Sequence, residues 1–169
     1  MGIEDFNRTI DIWIKALDHY DFQQLIRKPS STAWSIGQVY MHLLDDTSFY
    51  IGQMEICVTN NDHRTEEPTA EGKRMLLNND FPDAILDGSP ANAYMAQPES
   101  KERLLNDLLQ LKLRMNAMAL AIATSPFHGK TKHPGLDYLS ANEWLQFADM
   151  HLRHHLRQKK RIDSFLKSR

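Results

Sequence analysis

The chain has one cysteine, Cys57, in 169 residues. A lone thiol excludes an internal disulfide framework and suits a reducing compartment, so a cytoplasmic protein is expected. Glycine and proline are scarce, seven of each, which excludes collagen-like and low-complexity architectures. Charge of either sign is not in excess: 20 Lys and Arg stand against 22 Asp and Glu, a formal net of −2. That balance argues against a general nucleic-acid binder, and no nucleic-acid partner is expected. No apolar run approaches the roughly 20 residues that span a bilayer, so no membrane association is expected. Glu4 and Asp5 stand where a signal peptide needs positive charge. Met-Gly at the start is not a myristoylation signal, because Phe6 holds the position that wants Ser or Thr. Internal repeats and convincing strand alternation are missing too. What remains, 41% hydrophobic and 25% charged residues, suits a single globular domain spanning residues 1–169.

Helical periodicity fills most of the chain. The first segment covers roughly residues 3–27, with Phe6, Ile10, Trp13, Ile14, Leu17, Tyr20 and Leu25 at three- and four-residue steps. Pro29 and the Ser30-Ser31-Thr32 cluster end it. Ser35 is a plausible N-cap for the second, which runs to about residue 58. The third starts near Pro98, carries Leu104, Leu108, Leu111, Met115 and Met118, and closes at Ser125-Pro126. The fourth covers roughly residues 140–166, with Ser140 and Glu143 reading as a capping box. Its basic end, Arg157 to Lys167, complements the helix dipole. Four such segments predict an all-α protein, a four-helix bundle with one long connection between the second and third helices. Within that connection residues 69–79 fit a short helix, and Phe81-Pro82, Ser89-Pro90 and Gln97-Pro98 punctuate an irregular return.

The residues that bear chemistry are histidines. His151 and His155 are four apart, so both imidazoles lie on one helical face. With about 100° between successive residues, His155 falls in the middle of an apolar face and His151 at its shoulder. His154 points to the edge of that face or to solvent. His42, at the margin of the apolar arc of the second helix, supplies a third ring. Buried imidazoles need partners for their polar atoms. A divalent metal provides one; hydrogen bonding among Asp, His and Gln provides another. Asp46 or Glu143 could instead complete a two-His, one-carboxylate set, which would favour iron or manganese. His19, His63, His128 and His133 are weaker ligand candidates, in the first helix or in loops.

Three motifs fail. Gly129-Lys130-Thr131 resembles the end of a phosphate-binding loop, but Thr124 stands where the leading glycine belongs. Leu152 after His151 rules out a zincin glutamate. Cys57 lies about four turns from His42 along the same helix, so a packed thiol is expected.

The segment Trp34-Ser35-Ile-Gly-Gln38-Val-Tyr-Met-His42 resembles the second helix of the DinB/YfiT-like superfamily. The segment His151-x-x-His154-His155-x-x-Gln158 resembles its last helix. Gly72 to Asn78 with Phe81-Pro82, His133-Pro-Gly-Leu, and Glu143-Trp144 resemble a bacterial subgroup of unknown function. The resemblance implies a four-helix bundle holding a divalent metal, often zinc or nickel, on His42, His151 and His155. It also implies a possible homodimer. Characterised members include thiol S-transferases that use a low-molecular-weight thiol as co-substrate, and others are labelled hydrolases. No family-defined nucleophile or general base stands out beyond the metal.

These readings converge on a metal-dependent enzyme acting on a small-molecule substrate. Low-molecular-weight-thiol transfer is the first expectation and hydrolysis the second. Asp46 or Asp45 would act as general base or orient a ligand. Gln38 would help fix substrate, and Gln158 with His154 would contact a bound cofactor or fix a ligand tautomer. The rival is a non-catalytic bundle in which the metal only stabilises the fold or a partner-binding surface. Imidazole ligands would release metal below about pH 6.

Overall fold

A computed structural model describes residues 2–82 and 94–168. The chain is mostly helical, as expected, in the order α1 (Ile3–Leu17), α2 (Phe22–Ile26), α3 (Ile36–Cys57), α4 (Ala70–Asn78), α5 (Lys101–Thr124), β1 (Lys130–His133), β2 (Asp137–Ser140) and α6 (Ala141–Lys167). α3, α4, α5 and α6 each begin where a side chain takes a free N–H group of the first turn. Ser35 Oγ accepts from Gln38 N at 3.1 Å while Gln38 Oε1 accepts from Ser35 N at 3.0 Å, a reciprocal cap for α3. Ser140 and Glu143 do the same for α6. Thr69 caps α4, and Asn79 in left-handed geometry (φ 52°) ends it.

Two expectations are corrected. The first helix is not continuous to residue 27; it stops at Leu17, and Asp21 starts the separate α2 by exchanging hydrogen bonds with Gln24 at 2.8 and 2.9 Å. Residues 130–140 are not plain loop but an antiparallel hairpin, with Lys130 opposite Ser140 and His133 opposite Asp137. Leu139 is its one fully buried side chain, so the ribbon shows no alternation to read. Ser89-Pro90, expected to break the return path, lies outside the described residues.

The packing follows from side-chain pairs. Asn7 with Asn116 and Asp11 with Lys112 set α1 antiparallel to α5. Thr9 with Asp149 and Trp13 with Leu152 set α1 parallel to α6. α3 runs antiparallel to α6, with the Cys57 thiol near Leu139 O at one end and His42 against His151 further along. α3 is parallel to α5: Gly37 abuts Pro98, and Val58 O accepts from Ser125 Oγ at 2.7 Å. Parallel neighbours cannot be joined by a tight turn. The long connection between them, residues 58–100, is the geometric consequence. At Gly37 a Cβ would stand 2.7 Å from Leu25 O and 2.8 Å from Pro98 Cγ, so α2 and the entry to α5 close tightly on the start of α3. Trp13, Tyr40, Leu43, Trp144 and Leu152 are buried in one apolar cluster. Its polar edges are satisfied: Trp13 Nε1 donates to Leu152 O at 3.2 Å, and Tyr40 OH to Trp13 O at 2.8 Å.

Candidate metal centre

α3 carries His42, and α6 carries His151 and His155. The structure brings the three rings together: one ring nitrogen of each lies within 4.8 Å of the other two. His42 Nε2 is 3.1 Å from His151 Nε2, and His155 Nε2 is also 3.1 Å from it. His151, not His155, is the more deeply buried of the α6 pair, a correction to the face geometry. The reason is that His151 sits between His42, the Tyr50 ring at 5.7 Å and the Phe81 ring at 6.3 Å.

Proton accounting is decisive for this arrangement. Burial pushes His42 and His155 down to about 4, His155 with a contribution from His42. Burial and the neighbouring imidazoles push His151 well below its ordinary range. All three are neutral at pH 7. His155 Nδ1–H donates to Gln158 Oε1 at 2.8 Å, which leaves a lone pair on its Nε2. His151 Nε2 carries at most one hydrogen for its two contacts. A cation between the three nitrogens removes that conflict. Nitrogens 2.0–2.1 Å from a tetrahedral zinc lie about 3.3 Å from one another, close to the spacing of both contacts. The cluster could therefore hold a divalent ion, and its residues fit one.

Asp46 flanks the cluster. Its Oδ2 lies 3.5 Å from His42 Nε2 and 3.6 Å from His151 Nε2. Burial pushes its carboxyl up to about 6, opposed by the Tyr50 hydroxyl, which donates to Oδ2 at 3.4 Å. Its side chain is 37% exposed, against 6% for His42 and 9% for His151. The cluster meets solvent at Asp46 and at the half-buried His155.

The other candidates land elsewhere. Asp45 is exposed, and its carboxyl is raised by partial burial. Gln38 has both ends of its amide engaged, Oε1 on the cap of α3 and Nε2 donating to Met95 O at 2.6 Å. His154 packs on Phe81 at 5.2 Å and beside His155 at 5.3 Å. Gln158 Oε1 accepts from His155 Nδ1 at 2.8 Å. Glu143, the alternative carboxylate, is held at the helix start by Ser140 N at 2.7 Å and Ser140 Oγ at 2.8 Å, which takes it out of a mixed ligand set. Phe81, noted in sequence only as a break, and Tyr50 are part of the site wall. Nothing local in either residue marks it as such.

The family model of the DinB superfamily matches residues 5–158. The chain belongs to the DinB superfamily. No curated protein matches it. Within this DinB-superfamily chain the matched span contains all three histidines, Asp46 and Gln158. No helix among the described residues is long and apolar enough to cross a membrane.

Proposed function

We propose that this DinB-superfamily chain is a divalent-metal-dependent enzyme, with His42, His151 and His155 as ligands at the open side of a four-helix bundle. One observation carries the reading: His151 Nε2 faces two other Nε2 atoms at 3.1 Å with at most one hydrogen between the two contacts. Zinc or nickel suits three neutral imidazoles. A bound divalent ion acidifies a thiol or water beside it and so supplies a nucleophile at neutral pH. The chain's own residues do the rest. Gln158 holds the His155 tautomer. Asp46 Oδ2 takes the proton released, helped by a carboxyl held near 6 rather than in the usual carboxylate range. Phe81 and Tyr50 keep water from the sides of the rings.

Low-molecular-weight-thiol transfer to a small molecule is the reaction we favour; hydrolysis uses the same residues acting on water. The closeness of Asp46 to two ring nitrogens favours one second reading, in which its carboxylate is a fourth ligand and the site is structural. Asp46→Asn separates them. In the enzyme, the variant keeps its metal and loses turnover in a panel of activated small molecules with biological thiols. In the structural site, it loses metal. Elemental analysis of the purified protein should give one divalent ion per chain, and His42→Ala should remove it.

A further inference from the structure

The geometry points to His133 as the donor that orients the substrate, with Phe49 as the wall for a flat apolar group, so the substrate is an aromatic compound bearing a hydrogen-bond-accepting oxygen. This inference rests on the metalloenzyme reading above. His133 ends β1 at the tip of the hairpin, and Gly135 N–H donates to its Nδ1 at 3.0 Å. That bond fixes the Nδ1 lone pair and puts the hydrogen on Nε2. Among the described residues nothing accepts from that Nε2–H. The ring packs 4.8 Å from Phe147 and 5.3 Å from Trp144, which restricts its rotation. Phe147 lies one turn before His151 on α6, and a charge on His133 would be felt at His151. Burial pushes His133 itself down to about 4, so it stays a neutral donor at pH 7.

Phe49 lies one turn beyond Asp46 on α3, on the face that also carries His42. It is 48% exposed. Its ring meets the edges of Tyr50 and Trp144, each at 6.1 Å. Trp144 is fully buried and touches both Phe49 and His133. The outcome is a strip with an aromatic floor, an aromatic wall and one fixed donor, joined to the histidines by Tyr50, which lies 5.5 Å from Trp144 and 5.7 Å from His151. Among the described residues its one uncommitted polar group is an N–H, which takes an acceptor such as a carbonyl oxygen.

The test uses zinc-loaded protein and two probes, acetohydroxamate and benzohydroxamate, titrated by calorimetry. Both bind zinc through oxygen, and they differ in methyl against phenyl. Wild-type protein should bind benzohydroxamate about tenfold tighter, from the added apolar area buried. Phe49→Ala should abolish that preference. His133→Phe, which keeps the ring packing, should weaken both probes about threefold to tenfold, the worth of one hydrogen bond. His133→Gln, which retains an N–H, should recover part of the loss. Zinc content should be unchanged throughout. In zinc-free protein, nitrogen NMR should find the hydrogen of His133 on Nε2. Equal binding of the two probes, wild-type affinity in His133→Phe, or a hydrogen on Nδ1 overturns this inference alone. Wild-type protein that takes up neither zinc nor nickel overturns it together with the metalloenzyme reading.

Discussion

Zinc added to the metal-free protein should raise its thermal stability, and His151 should control the whole effect. The three imidazoles are already neutral at pH 7, and two of the three nitrogen spacings, both 3.1 Å, are close to tetrahedral, so binding needs little proton release and a local closing of the His42 and His155 rings. For a micromolar site, about 100 µM zinc stabilises the folded state by about 2.7 kcal/mol. In a chain of this size, each kcal/mol moves the melting temperature by about 2–4 °C, so a rise of roughly 5–11 °C is expected. His151→Ala removes the nitrogen shared by both 3.1 Å contacts and should abolish the rise. His154→Ala removes a ring that packs on Phe81 and should keep it. The assay is scanning calorimetry in a non-chelating buffer at pH 7, each variant compared with and without zinc. A wild-type rise below about 1 °C, or a full rise in His151→Ala, would refute the reasoning.

Gln158→Leu removes the acceptor from His155 Nδ1 and should weaken metal binding about 10–100-fold, measured by competition with a chelator; unchanged affinity would show that the tautomer is set otherwise. Metal-free protein should lose stability as pH falls below about 6.5, because the unfolded chain takes up protons that the buried imidazoles refuse down to about 4. For His42 the loss reaches about 3 kcal/mol at pH 4; Asp46, held near 6, offsets part of it from pH 6 downward. Urea midpoints that stay flat or rise between pH 7 and pH 5 would contradict this. By the same shifts, proton competition for the metal should begin nearer pH 5 than the pH 6 expected of ordinary imidazoles. Asp149 is buried and bonded to Thr9 Oγ1 at 2.6 Å and Arg153 Nε at 2.9 Å. Asp149→Ala should cost about 2–3 kcal/mol, visible as a lower denaturant midpoint; a change under about 0.5 kcal/mol would mean the contact carries no net stability.

The long helices were legible because their starts and faces are written locally. Ser35 and Ser140 act as caps where the sequence places them, and the four-residue step from His151 to His155 survives folding unchanged. The pairing with His42 was legible only as a possibility, since it depends on how α3 and α6 pack. The break after Leu17 was hidden by apolar residues, Tyr20 and Leu25, that continue the period across it. Asp21 and Gln24 carried the signal, as the capping box of a new helix. The hairpin was illegible because four-residue strands with one fully buried side chain leave no pattern. His133 looked like a loop residue for the same reason. Gln38 read as a site residue by its spacing from His42, yet its amide serves the cap and Met95.

His42 and His151 are separated by 109 positions along the chain. During translation the first ring is made long before its partners. A ribosome stalled anywhere before residue 151 leaves only one of the three imidazoles, and a single imidazole holds a divalent ion too weakly to keep it. An ion held by the three rings would need both α3 and α6 in place, so its uptake would follow the making of the last helix.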